Sequence, residues 1–116
     1  MADLALLMVA SESEVVERKE AWKDDCYKAL AAFANTRGGT LLVGVTDDGQ
    51  VIGWHGDGKE LEQITNWVIG NLRVLPVTIA VQLSEGTPVL MVEMARSPVP
   101  VAVRGIYYRR VGNSTR

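Results

Sequence analysis

Glu12 and Glu17, in the run Glu12-Ser-Glu-Val-Val-Glu17-Arg-Lys19, and Asp47, in a turn further on, are carboxylates with a possible shared chemistry. Two or three such groups converging on one point hold magnesium or manganese, hard cations that take oxygen ligands and activate water for phosphodiester cleavage. Residues five apart point to opposite faces of a strand and lie about 140° apart on a helix. Glu12 and Glu17 therefore meet only where the chain bends between them; otherwise they are solvated carboxylates. Nucleophilic catalysis has less material, because the single histidine, His55, follows Trp54 at what reads as a loop tip.

A second constellation is Gly53-Trp-His-Gly-Asp-Gly58-Lys59, which has the Gly-x-x-x-x-Gly-Lys spacing of a phosphate-binding loop and precedes a predicted helix. Glu60 stands where a magnesium-holding hydroxyl belongs, and Asp57 adds a carboxylate where phosphate would sit. The same residues suit an ordinary helix start, with Asp57 and Glu60 as a capping box. Nucleotide binding thus ranks third among the functions considered.

The charge distribution carries more weight. Residues 1–93 hold seven Lys and Arg against all fourteen Asp and Glu, whereas residues 94–116 hold Arg96, Arg104, Arg109, Arg110 and Arg116 with no carboxylate. The net charge of -2 conceals this split. A local positive field, rather than net charge, steers a phosphate backbone to a surface. Within the tail, Tyr107 and Tyr108 precede Arg109 and Arg110, so strand alternation offers one Tyr/Arg pair to a ligand and turns the other inward. Arginine on phosphate with an aromatic ring under a base suits single-stranded nucleic acid or a loop.

The elements that position these groups follow from periodicity. The chain has 116 residues, 47% of them hydrophobic, enough for one domain with its own core. One cysteine, Cys26, precludes an internal disulfide, and with one histidine it leaves no conventional zinc set; a reducing cytoplasm is the expected location. Residues 1–10 are apolar but too short to span a bilayer, and Asp3 replaces the basic start of a signal peptide. A short helix with Leu4, Leu7 and Met8 on the core is expected there. A strand is expected within 15–22 and a helix over 24–36, where Cys26, Ala29, Leu30, Phe33 and Ala34 recur at helical spacing. Gly38 and Gly39 stop it and lead to a buried strand over 40–46, a turn at Asp47-Asp-Gly-Gln50 and a return strand over 51–54. A second helix with Leu61, Ile64, Val68 and Leu72 inside ends before Pro76, and strands are expected over 77–83, 89–94 and 107–111. Trp22 and Trp67 are expected to anchor the core and Trp54 to be exposed. The fold class is α+β, one domain with a mixed sheet and two main helices.

With these blocks in view, the chain from Glu12 onward resembles the Schlafen AlbA-like domain. The resemblance rests on Glu12-Ser-Glu-Val-Val-Glu17-Arg-Lys19, on Ala32-Phe-Ala-Asn-Thr-Arg-Gly-Gly-Thr-Leu-Leu-Val-Gly-Val-Thr-Asp-Asp-Gly49, and on Tyr107-Tyr-Arg-Arg-Val-Gly-Asn-Ser-Thr-Arg116. It implies a helical extension over 1–11 followed by an Alba-related domain over 12–116. It also implies a nucleic-acid-binding role in transcriptional regulators, which commonly continue into a winged helix. Relatives also carry ATPase labels. In animal Schlafen proteins the positions matching Glu12, Glu17 and Asp47 form a metal-dependent nuclease centre for RNA. The resemblance then makes these three the candidate catalytic and metal-binding residues, with magnesium or manganese as cofactor and Lys19 offsetting phosphate charge. Arg18 stands where the family carries an aromatic residue, and the zinc ligands of the animal proteins are missing. Those proteins pair two copies of the domain, so a homodimer is expected here.

The leading expectation is a nucleic-acid-binding domain of a regulator that needs no cofactor to bind. Its surface is expected to comprise Lys19, Arg37, Arg104, Tyr108, Arg109, Arg110 and Arg116, with DNA or RNA as partner and no membrane. A metal-dependent endoribonuclease is the alternative.

Overall fold

The computed structural model describes residues 3–9 and 11–116, apart from the Val9 side chain. The part of the N-terminal run formed by residues 1, 2 and 10 lies outside the described residues. Twelve elements follow one another: α1 (Leu4–Val9), β1 (Val16–Lys19), α2 (Asp24–Asn35), β2 (Gly39–Val43), α3 (Gly58–Trp67) with a π-helical continuation (Val68–Leu72), β3 (Thr78–Ser84), β4 (Thr87–Met94), β5 (Ala102–Val103), β6 (Ile106–Tyr107), β7 (Arg110–Val111) and β8 (Ser114–Thr115). The main sheet has the order β1-β2-β4-β3. β1 and β2 are parallel and the other neighbours antiparallel, which gives the expected mixed sheet of an α+β domain.

Alternation along the central strands divides the core between two faces. Leu41, Val43, Leu90 and Val92 meet Leu30 and Phe33 of α2, and Ile64, Val68 and Leu72 from α3 and its continuation complete this larger cluster. On the opposite face Leu42, Val45, Val89 and Met91 receive Leu4, with Leu7 and Met8 packed beside them. The N-terminal helix thus covers part of the second face. Arg18 secures it: this buried side chain donates from Nη2 to the carbonyls of Leu7 (3.2 Å) and Met8 (3.4 Å) at the end of α1.

Local chemistry explains where elements stop. Asp24 and Asp25 lie in the first turn of α2, where negative charge complements the helix dipole. Gly38, at φ 75°, closes α2 by donating its N–H to Phe33 O at 2.7 Å. Gly39 then lies against the Phe33 ring; a Cβ there would be 2.5 Å from the ring's Cδ1. Asp57 caps α3 as expected, accepting from the Glu60 N–H at 2.8 Å.

Three expectations need correction. The return strand over 51–54 is reduced to a single bridge between Val45 and Val51, because Ile52 and Gly53 both donate to Gly44 O and take the chain out of register. Trp54 is buried, not exposed. Its N–H donates to Pro88 O at 2.8 Å, and the indole covers Gly56, where a Cβ would be 2.2 Å from Trp54 Cζ2. The strand expected over 107–111 is split between two hairpins, since Tyr107 closes β6 and Arg110 opens β7.

Cys26 is fully buried, and burial pushes its thiol up to about 11. The thiolate is the reactive form, so iodoacetamide at neutral pH is expected to leave the folded protein unlabelled and to label it fully once denatured. Mass spectrometry showing native-state alkylation at the unfolded rate would contradict this packing.

Candidate nucleic-acid interface

The basic tail divides according to what each cation touches. Arg110 is buried and cannot serve as the surface contact expected of it. Its Nη2 donates to Ser13 O at 2.6 Å and Glu17 Oε2 at 3.3 Å, Nε donates to Glu14 O at 3.3 Å, and Nη1 to Thr115 Oγ1 at 3.1 Å. Its guanidinium carbon lies 5.0 Å from the Phe33 ring centroid. These contacts tie the β7–β8 hairpin to the start of β1. Arg104 is exposed but makes a two-pronged ion pair with Asp24, both contacts at 2.8 Å, that holds the Asp24 carboxyl below its usual range. Lys19 lies 2.8 Å from Asp25 and 3.5 Å from Glu17. Partial burial disfavours its charge, but these carboxylates outweigh burial and leave Lys19 above its ordinary value. Arg37 is mostly exposed and touches Glu14 at 3.8 Å.

Arg109 and Arg116 remain exposed and exchange backbone hydrogen bonds of 2.9 Å in both directions. With Arg96 and Tyr107 they line a groove of about 480 Å³, floored in part by Pro98, Val99 and Pro100. No Asp or Glu side chain lines it. Tyr107 is 63% exposed, whereas Tyr108 is half-buried against the core, with Lys28 Nζ 5.7 Å from its ring centroid. The outward Tyr/Arg pair is therefore Tyr107 with Arg109, and the inward pair is Tyr108 with Arg110.

Asn35 and Thr36, at the end of α2, hold this groove in shape. Asn35 Nδ2 donates to Val101 O at 2.7 Å and to Tyr108 O at 2.8 Å, while its Oδ1 accepts from the Val101 N–H at 2.7 Å. Thr36 Oγ1 accepts from the Arg110 N–H at 2.9 Å. One amide side chain thus joins both walls of the groove to the main helix. In the sequence these two residues stood out only as part of the family-like block over residues 32–49, and the clamp was missed. Sequence reasoning also left out Arg96 and Tyr107 as contacts, although the acid-free tail and the Tyr/Arg alternation pointed to both.

The chain does bend between Glu12 and Glu17. Ser13 N–H donates to Val16 O at 3.0 Å, Glu12 Oε2 accepts from the Arg18 N–H at 3.0 Å, and the two carboxyl groups come within hydrogen-bonding reach. Burial, then Glu12, raise the Glu17 carboxyl above its ordinary value, with Arg110 and Lys19 pulling the other way. Asp47 does not complete a metal set: among the described residues no group of three His, Cys, Asp or Glu side chains is placed to hold a metal ion. Asp47 borders a hollow with Lys19, Lys23 and Asp25, and Glu17 borders an adjoining one that shares Lys19 and Asp25 with it. In this arrangement two protein cations, Arg110 and Lys19, lie against the Glu17 carboxylate.

The phosphate-loop spacing is also accounted for. Asp57 Oδ1 takes the Glu60 N–H, and Glu60 Oε2 lies close over Gly56, so two carboxylates already occupy the start of α3. His55 is exposed, with Nε2 3.3 Å from Ile52 O. Among the described residues no helix is long and apolar enough to cross a membrane.

A mixed four-stranded sheet whose principal helix clamps a basic C-terminal segment defines the class: a small α+β domain with an acid-free groove on its surface. The family model described as Schlafen, AlbA_2 matches residues 12–116, and the chain belongs to that family. α1 precedes the matched region. Among solved structures, the DIP2311 protein of Corynebacterium diphtheriae superposes with a TM-score of 0.78 at 22% identity, over 97% of this chain and 28% of that one. The N-terminal domain of a Nitrosomonas europaea protein described as related to the ATP-dependent DNA helicase RecG gives a TM-score of 0.68 at 22% identity, over 98% of this chain and 92% of that one. The present chain spans just over a quarter of the C. diphtheriae protein's length. No curated protein matches it.

Proposed function

We propose that this domain binds nucleic acid through the groove of Arg96, Arg109, Arg116 and Tyr107, as the recognition module of a transcriptional regulator. The observation that carries this reading is a concave surface with three exposed arginines, an exposed tyrosine and no Asp or Glu side chain among its lining residues. Arginine forks match phosphate oxygens, and an exposed phenol ring supplies a stacking platform for an unpaired base. The RecG-related description of one structural neighbour accords with a role on nucleic acid. Binding on this reading needs neither metal nor ATP. A homodimer is part of the proposal, since two copies double the basic surface and let one polyanion bind bivalently, with avidity above that of either site.

Fluorescence anisotropy of labelled single-stranded RNA and DNA, with duplex controls, tests the proposal. Affinity is expected to fall steeply with salt and to be unchanged by a chelator. Arg109→Ala is expected to weaken binding across sequences and reduce the slope of log affinity on log salt by about one. Tyr107→Ala is expected to weaken single-strand binding by roughly 5- to 150-fold, the equivalent of about 1 to 3 kcal/mol for one stacked base. Absence of binding at low salt, or affinity indifferent to both substitutions, would sink the reading.

A further inference from the structure

The two edges of the main sheet are built on different principles. β1 is four residues long, three of them the charged Glu17, Arg18 and Lys19, and the C-terminal hairpin is tied against it through Arg110. β3, at the other edge, is a seven-residue strand, and residues 74–84 contain no charged side chain. Among the described residues no strand pairs with its outer side. Val81 and Leu83 are 41% and 68% exposed there, and Leu75 and Val77, just before the strand, are 76% and 58% exposed. Natural proteins blunt a free edge with charge, with shortness or with a cover, because its unpaired N–H and C=O groups otherwise accept another strand. β1 has these protections, whereas β3 has neither charge nor short length, and α1 borders it at the end formed by Leu83 and Ser84.

We infer that β3 is a self-association edge, on which the β3 strand of a second copy of this chain adds antiparallel to give one continuous eight-stranded sheet. The occupant follows from the composition of the edge. A two-fold axis at Val81 overlaps all seven residues of both strands. It sets Val81 against the partner's Val81, Ile79 against the partner's Leu83, and Thr78 against the partner's Ser84. With no charge between 74 and 84, the axis brings no like charges together within the paired strands. A charged partner strand would find nothing on β3 to neutralise it. Ile79 and Val81 pair with Val92 and Leu90, whose side chains belong to the larger core cluster. The apolar row on that face therefore continues across the axis.

This inference rests on the homodimer in the proposed function and specifies its surface. Sedimentation velocity from micromolar to near-millimolar protein is expected to show a concentration-dependent dimer. Val81→Lys places two ammonium groups face to face and is expected to weaken dimerisation by about a hundredfold or more. At concentrations where the parent is monomeric its circular dichroism and melting should stay as in the parent, and Val111→Lys, at an exposed position on β7, should leave the dimer intact. Val81→Cys provides a check that adds no charge. Residues facing each other across antiparallel strands have Cα atoms about 4.5 to 5.5 Å apart, within disulfide range, so mild oxidation is expected to cross-link two copies through it. Ala80→Cys, which faces the partner's Gln82, should not cross-link. A protein that stays monomeric at every concentration overturns both the dimer and the edge. A dimer that survives Val81→Lys, with no Val81→Cys cross-link, overturns the edge alone.

Discussion

Arg110→Ala is expected to lower the stability of the domain by about 3 to 5 kcal/mol, a shift of roughly 10 to 20 °C in Tm, with little direct effect on the binding surface. The side chain is fully buried and its partner Glu17 is 13% exposed, so removing the guanidinium leaves a nearly buried carboxylate with one cation fewer and frees two backbone carbonyls. The pH dependence separates this cause from simple loss of packing. Glu17 already titrates above its ordinary value, so the contribution of this group to stability is fully present below the unfolded pKa and is lost as pH rises through the folded one. Without Arg110 the folded pKa rises further. The deficit of the variant is therefore expected to shrink at acid pH, where Glu17 is neutral, and to be largest near neutrality. Urea titrations of both proteins at several pH values measure this; a deficit independent of pH would assign the loss to packing alone. Arg110→Lys is expected to recover only part of the stability, since one ammonium cannot serve acceptors spread around a planar fork.

Asn35→Ala is expected to be the second most damaging change. Three hydrogen bonds of 2.7 to 2.8 Å are lost, and the N–H and C=O of Val101 and the C=O of Tyr108 lose their partner. At about 1 kcal/mol for each bond, with a further penalty where the group left behind is shielded from water, the cost is about 2 to 4 kcal/mol. Both walls of the groove are attached at this side chain, so nucleic-acid affinity should fall even at temperatures where the variant is fully folded. Hydrogen exchange should show the Val101 amide among the most deprotected sites. Stability within about 0.5 kcal/mol of the parent would show that the groove is held by other contacts.

The parts that sequence made legible are those governed by local rules. The spacing of Cys26, Ala29, Leu30 and Phe33 marks α2, Asp57 and Glu60 mark the start of α3, and the Ser84-Glu-Gly-Thr turn marks the β3–β4 hairpin, because periodicity, capping and turn chemistry act over a few residues. The candidate site was legible in its composition but not in its allocation. The acid-free tail gives no sign of which arginine folds inward, since the partner of Arg110 is 93 residues away and arginine is ordinarily exposed. The bend that joins Glu12 to Glu17 is held by the Ser13 N–H on Val16 O, the Val15 N–H on Ser13 Oγ and the Arg18 N–H on the Glu12 carboxylate, none of which the five-residue spacing encodes. Trp54 was misread because surrounding glycines suggest exposure, whereas Gly56 makes room for its ring. Arg18 illustrates a departure from the family pattern with a visible use, since it holds α1 to the sheet.

The closure of the C-terminal hairpin on the first strand also sets the order in which the chain can fold. Arg110 reaches Ser13 across 97 residues, and the Asn35 clamp takes hold across 66 and 73. Contacts so distant along the chain give a high contact order and slow folding, because the entropy of the large loops must be lost before the contacts form. During vectorial synthesis Glu17 and the end of α2 emerge long before their partners. A nascent chain interrupted between Met94 and Arg110 has Glu17 with Lys19 as its one remaining cation at one edge of its sheet and the uncharged β3 at the other. Emergence of the β7–β8 segment is then the step that seals the domain, and chains stalled before it are the form most exposed to aggregation and to chaperones.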